Sequence, residues 1–171
     1  MRRPLVFAVV VCAGIAVDLL SKWYVFSHLN AGESYAVIPN VLHFTEAENR
    51  GVAFSMLKDY PLVILSISVL AIAALGTIYW RSRQTASLYL LTSLALILIG
   101  AAGNLFDRLA FGYVRDFIDF VPRIPLIGHW AVFNVADMCI TTGVLLYLFC
   151  AWFIESDPGE KNAAAGTTPT A

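Results

Sequence analysis

Asp107, Arg108, Arg115, Asp116 and Asp119 crowd into one short stretch, residues 100–119, of a chain otherwise built from apolar runs, and Asp137 stands near the start of the next run. Ionisable side chains at or near membrane depth are costly, so they usually face a protein interior or a water-filled cavity and mark function. Asp116 and Asp137 lie 21 residues apart, a separation that lets the intervening loop fold back and bring both carboxylates to one point. Two carboxylates held close together cannot both ionise freely and tend to share a proton. One then takes a proton from a water molecule while the other, protonated, hydrogen-bonds a carbonyl oxygen, which is the chemistry of peptide hydrolysis by an aspartate pair. Such a pair titrates as a unit, and the sequence assigns neither residue a fixed resting role. The competing reading makes Asp116 a strand-edge carboxylate paired with Arg115 or Arg108. Asp137, set among Val135, Ala136, Met138, Cys139 and Ile140, calls for a polar partner inside the fold.

Other polar residues surround this pair. Asp107 and Arg108 either satisfy one another at a helix end or belong to the site. Asn104 and Asn134, each three residues ahead of an aspartate, carry amides that donate to carboxylates or to a substrate carbonyl, or simply close a helix end. Asp18 and Lys22 are four apart and share a helix face; they read either as a self-neutralising pair or as a lining of the site. Asn49, Arg50 and Gly51 form a turn-like sequence that is either a plain turn or a substrate clamp. The small residues Gly100, Ala101, Ala102 and Gly103 permit close helix packing, which would position Asn104 and Asp107.

The elements that must hold these residues follow from composition. The chain has 171 residues, 59% hydrophobic and 13% charged, with a mean hydropathy of +0.74. That is too apolar for an ordinary soluble domain and too short for more than one compact unit. A net charge of −1 without a Lys/Arg tract gives no footprint for nucleic acid. Cys12, Cys139 and Cys150 lie in apolar runs and read as small hydrophobes, and His28, His43 and His129 show no zinc-site spacing. No disulfide, metal or cofactor is expected.

Arg2 and Arg3 followed by an apolar run resemble the start of a cleaved leader, but the run continues through residue 26. It is long enough to span about 30 Å of hydrocarbon, so it is expected to stay as a first spanning helix. Further spans are expected over residues 61–80, 86–106 and 131–154. Arg2, Arg3, Arg81 and Arg83 place the N-terminus and the link near residue 81 on the cytoplasmic side by the positive-inside bias, and the C-terminus with them. The outer segments, 27–60 and 107–130, read as more than linkers. Residues 35–38 and 41–45 form two short strands about Pro39 and Asn40, residues 52–57 a short amphipathic piece, and residues 114–120 a half-buried strand. Pro122, Pro125 and Gly128 break up the return to the fourth helix. The expected fold is a mostly α membrane protein of four transmembrane helices with a small β-structure on the outer, extracytoplasmic face. Residues 1–156 make one domain, and residues 157–171 a disordered cytoplasmic tail.

Four boxes now stand in order: Asp18 with Ser21 and Lys22; Asn49, Arg50, Gly51, Val52, Ala53 and Phe54; Gly103, Asn104, Asp107 and Arg108 with Gly112, Val114, Asp116 and Phe117; and Phe133, Asn134, Ala136 and Asp137. This set resembles the ordered motifs of bacterial lipoprotein signal peptidase, the signal peptidase II family, over residues 5–154. The resemblance implies an inner-membrane aspartyl endopeptidase that cuts prolipoproteins just before a Cys already carrying diacylglycerol, with Asp116 and Asp137 as the catalytic pair. It further implies that Asn49, Gly51, Asn104, Asp107, Arg108, Asn134 and Ala136 line or support the site, with Asp18 and Lys22 matching the first box. Lipidated prolipoproteins and membrane lipids are the implied partners, globomycin-type cyclic peptides the implied inhibitors, and a monomer the expected state.

Two rival classes use the same residues. A magnesium-dependent enzyme acting on lipid phosphates would gather Asp107, Asp116 and Asp119 about the metal, although the neighbouring arginines compete for those carboxylates. A small proton-coupled transporter would run a relay through Asp18, Lys22 and Asp137, although the second and third spans supply no acid to extend it.

Overall fold

The computed structural model describes residues 2–51, 57, 59–121 and 131–153. Residues 52–56 of the amphipathic piece expected over 52–57, the breakers Pro122, Pro125 and Gly128, and the tail lie outside the described residues. Four helices are long and apolar enough to cross a membrane: α1 (Arg2–His28), α2 (Pro61–Ser82), α3 (Leu88–Phe111) and α4 (Val135–Phe153). Three strands, β1 (Ser34–Ile38), β2 (Leu42–Asn49) and β3 (Val114–Phe120), form one antiparallel sheet in the order β1-β2-β3. The mostly α membrane architecture with a small sheet is therefore as the sequence implies.

The element ends differ from the apolar pattern for local reasons. α3 starts at Leu88 rather than residue 86 because the Ser87 hydroxyl caps it, accepting from Leu90 N at 3.2 Å. It runs to Phe111, past the expected end at 106. Asn104 and Asp107 face inward while Phe106, Leu109 and Phe111 stay exposed, so the helix continues as a two-faced cylinder where an averaged hydropathy falls. Gly112 then ends it with φ +80°, a left-handed conformation that a residue without Cβ adopts at little cost, and the chain turns directly into β3. α4 begins at Val135 rather than 131. Residues ahead of it are extended: Phe133 bridges Ile118 of β3, with Phe133 N donating to Ile118 O at 3.0 Å and Ile118 N to Phe133 O at 2.7 Å.

The β1–β2 turn falls at Pro39 and Asn40 as expected, with Asn40 at φ +64°. β2 runs on to Asn49, four residues beyond the sequence reading, because pairing with β3 sets Ala47 opposite Asp116 and Asn49 opposite Val114. Cross-strand pairing here overrides the weak strand preference of Glu46, Glu48 and Asn49.

Small residues set the helix spacing. A Cβ on Gly103 would strike the Asp18 carboxylate, and one on Gly100 the Ala136 carbonyl oxygen, so α3 lies against α1 and α4 at backbone distance. Val11, Ala95 and Ile99 form the apolar core with Phe7, Ile15, Leu98 and Cys139 packed on it. α2 is peripheral: Ile64 is its buried residue, and Tyr79 stacks on Phe7 of α1 at 3.8 Å between ring centroids. Its remaining apolar surface fits a hydrocarbon surround. Gly100→Ala should therefore lower the thermal midpoint in detergent by an overpacking cost of about 1–3 kcal/mol. Gly76→Ala, whose Cβ would meet nothing within 4 Å, should leave the midpoint unchanged or slightly raised in the same melt.

Candidate active site

Asn134 caps α4, and the cap is reciprocal. Asp137 N donates to Asn134 Oδ1 at 2.9 Å, and Asn134 N donates to Asp137 Oδ2 at 3.2 Å. This is the capping-box arrangement with Asn and Asp in the two roles, and it sets Asp137 in the first turn of α4 rather than a turn or two inside it. A carboxylate in a first turn also meets the positive end of the helix dipole. The Asn134 side-chain nitrogen is left free to donate twice, to Asp116 Oδ1 at 2.6 Å and to Asn104 Oδ1 at 3.2 Å. Asn104, from α3, donates through Nδ2 to Asp137 Oδ1 at 2.8 Å. Two amides thus clasp two aspartates delivered by different elements, Asp116 from β3 and Asp137 from α4. Asp116 is 2% exposed, whereas Asp137 is half-buried.

A second, fully enclosed cluster lies beneath. Lys22 Nζ meets Asp18 Oδ2 at 2.8 Å, Asp107 Oδ2 at 3.3 Å and Asn104 Oδ1 at 3.0 Å, and the side chains of Lys22, Asp18 and Asp107 are all 0% exposed. Asp18 also accepts from Ala136 N at 2.8 Å, which ties α1 to the start of α4. Arg115 holds Asp107 with its backbone N at 3.0 Å, Nε at 3.1 Å and Nη2 at 2.7 Å. Asp18 and Lys22 are thus a pair, as their spacing implies, and the same ammonium reaches the amide that touches Asp137.

Adjacent residues do not satisfy one another in the way sequence proximity invites. Asp107 pairs with Arg115 and Lys22 rather than with Arg108. Arg108 donates from Nη2 to Gly51 O at 2.9 Å and from Nη1 to Asn104 O at 3.4 Å, and its guanidinium acts electrostatically on Asp116, Asp137 and Asp107. Arg115 belongs to Asp107 and not to Asp116. Successive strand residues point to opposite faces, so Arg115 and Asp116 do not face the same group, although alternation alone does not name Asp107 as the partner of Arg115. Asn49 reaches Asp116 from the end of β2, and its Oδ1 accepts from Gly51 N at 3.0 Å. Arg50 is not brought to the cluster. Its guanidinium lies on Glu48 Oε2 at 2.9 Å and over the Tyr113 ring, with the side chain 67% exposed. Asp119 accepts from Thr45 Oγ1 at 2.9 Å, away from Asp107, and among the described residues no three His, Cys, Asp or Glu side chains converge as a metal site.

Burial, with the charge of Asp137 next, pushes the Asp116 carboxyl up to about 7, against the opposing bonds from Asn49 and Asn134. Burial wins because a desolvated carboxylate loses more in hydration than two neutral amides return.

Three of the four apolar helices, α1, α3 and α4, together with β2 and β3, bring polar side chains to an amide-clasped aspartate pair, the architecture of a multi-pass membrane enzyme. A family model described as "Signal peptidase (SPase) II" matches residues 10–153. The chain is 36% identical to a lipoprotein signal peptidase of Clostridium tetani over 154 residues, 90% of this chain and 95% of that one. It is also 36% identical to one from Streptococcus pyogenes serotype M6 over 148 residues, 85% of this chain and 91% of that one. A solved bacterial membrane enzyme superposes with a TM-score of 0.74 at 27% identity, covering 85% of this chain and 91% of that chain. A second reaches a TM-score of 0.77 at 24% identity, covering 97% and 94%. The chain belongs to the signal peptidase II family and is an aspartic peptidase.

The raised Asp116 carboxyl has a consequence for stability. A group whose folded-state value lies above its unfolded one favours folding while it stays protonated, below about pH 4, and loses that contribution as pH rises through about 7. Asp116→Asn removes the ionisation. Its thermal midpoint should therefore rise relative to wild type between pH 4 and pH 8, and parallel melts across that range would contradict the assignment.

Proposed function

We propose that this chain removes signal peptides from prolipoproteins, cutting just before the diacylglyceryl-modified Cys, with Asp116 and Asp137 activating the attacking water. The observation that carries this reading is the clasp by Asn134, which donates to Asp116 Oδ1 at 2.6 Å while its backbone N and side-chain oxygen hold Asp137. The two carboxyls differ in environment in the way acid and base need to differ. Asp116, buried and pushed up to about 7, is able to take the pair's shared proton near neutral pH and presents it to the scissile carbonyl oxygen. Asp137, half-buried with both oxygens accepting N–H bonds, takes a proton from water as the water oxygen attacks the carbonyl carbon. The proton then passes to the leaving amine as the C–N bond breaks, and the pair returns to one shared proton.

The basic residues Arg3, Arg81 and Arg83 favour a topology with both termini cytoplasmic and the sheet and aspartate pair near the outer leaflet. A signal peptide is itself an apolar helix, and a lipidated Cys holds the scissile bond near the membrane surface, at the depth this topology gives the pair. Globomycin-type cyclic peptides would compete for the same cleft. The unit acting on the substrate is a monomer of residues 1–156, and the proposed reaction draws on no metal or other cofactor.

The test is cleavage of a diacylglyceryl-modified prolipoprotein peptide beside its unlipidated twin, with chelator present. Wild type should cut the lipidated peptide alone, and Asp116→Asn and Asp137→Asn should each lose at least about 100-fold in rate. A folded variant that cuts at the full rate would remove its aspartate from the reaction, and cleavage abolished by chelator would revive the magnesium reading.

A further inference from the structure

Lys22 is a fully buried ammonium, and an aspartate-pair mechanism assigns it no step. Its three contacts are Asp18, Asp107 and the side-chain oxygen of Asn104. The first two are ion pairs that any buried cation would seek. The third is chemically selective, because an ammonium only donates and so bonds the oxygen end of an amide and not its NH2.

Asn104 stands between that ammonium and the aspartate pair. Its oxygen accepts from Lys22 Nζ at 3.0 Å and from Asn134 Nδ2 at 3.2 Å, and its nitrogen donates to Asp137 Oδ1 at 2.8 Å. Rotating the amide by half a turn would set its NH2 against an ammonium and a second NH2, and its oxygen against a carboxylate. Lys22 supplies the one cationic donor in that preference, and a hydrogen bond to a charged group is about twice as strong as between neutral groups.

We propose that Lys22 is a positioning residue for catalysis, holding the Asn104 amide so that its NH2 faces Asp137 and its oxygen receives Asn134. This rests on the aspartate-pair reading above. The charged groups about the pair are Asp18 and Lys22 from α1, Asp107 and Arg108 from α3 and Arg115 from β3, with neutral Asn49 from β2. Lys22 acts on Asp137 through Asn104 and touches neither catalytic carboxyl. When the ammonium is lost, only Asn134 and Asp137 themselves hold the amide, and its NH2 is less firmly kept against Asp137.

Lys22→Met alone leaves Asp18 and Asp107 short of a cation and risks misfolding. The informative protein is the double variant Asp18→Asn/Lys22→Met, which removes one charge of each sign and keeps an oxygen at position 18 for Ala136 N. Measured on the lipidated peptide, it should melt near wild type and lose about 100-fold in kcat with KM little changed. Combining it with Asn104→Ala should cost no more than about 2-fold beyond Asn104→Ala alone, since the two act through one amide. Losses that multiply, or a kcat that stays at the wild-type level, would overturn the proposal and reduce Lys22 to a structural ion pair. Asp137→Asn, run alongside, separates the two claims: full activity there overturns the aspartate-pair reading itself.

Discussion

One side chain, Asn134, touches both aspartates, and most of the fold is arranged so that it can. Its backbone lies at the junction between Phe133, which bridges β3, and the start of α4. The bridge from Phe133 to Ile118 fixes where β3 stands relative to that junction, which puts Asp116 within 2.6 Å of the amide. The reciprocal cap fixes Asp137 on the other side. Gly112 lets α3 pass into β3 without a loop, and Gly100 and Gly103 let α3 approach α4 and α1 closely enough for Asn104 to close the ring. Remove the close approach and the amides still exist, but they no longer share partners.

The electrostatics of the whole cluster have the same logic. Four aspartates, Asp18, Asp107, Asp116 and Asp137, face three cations, Lys22, Arg108 and Arg115. The set is neutral when one proton is present. Burying an unbalanced charge costs several kcal/mol, and a paired one far less, so the enclosed charges favour a singly protonated pair, the state an aspartate mechanism requires. Arg108, held by Gly51 O at 2.9 Å, is the cation on the side of the pair, while Lys22 and Arg115 balance the deeper Asp18 and Asp107.

Much of this was legible in the sequence and some was not. The four apolar runs and the strands about Pro39 and at residues 114–120 were visible because hydropathy and alternation report burial directly. The convergence of Asp116 and Asp137 followed from the cost of charge near membrane depth. Helix ends were misread wherever one face turned polar: α3 continues to Phe111 because Asn104 and Asp107 look inward while Leu109 looks out, and α4 waits for its Asn134 cap. Partner choice was the least legible. Spacing paired Lys22 with Asp18, four residues away, but nothing local announces Asn104, 82 residues on, or that Arg115 would reach Asp107 while its neighbour Asp116 turned to Asn134. Arg50 looked like a clamp by its place between Asn49 and Gly51, and its long side chain instead lies outside with Glu48 and Tyr113.

The central claim is that the aspartate pair carries one shared proton near neutral pH, taken up at Asp116, whose carboxyl is pushed up to about 7. Infrared difference spectra of the detergent-solubilised protein between pH 5 and pH 9 read this directly, since a protonated carboxyl has its own carbonyl stretch. The account predicts a carboxyl band that titrates near pH 7 and is missing from Asp116→Asn. Persistence of that band in Asp116→Asn, or the lack of any carboxyl titrating in this range, would contradict it.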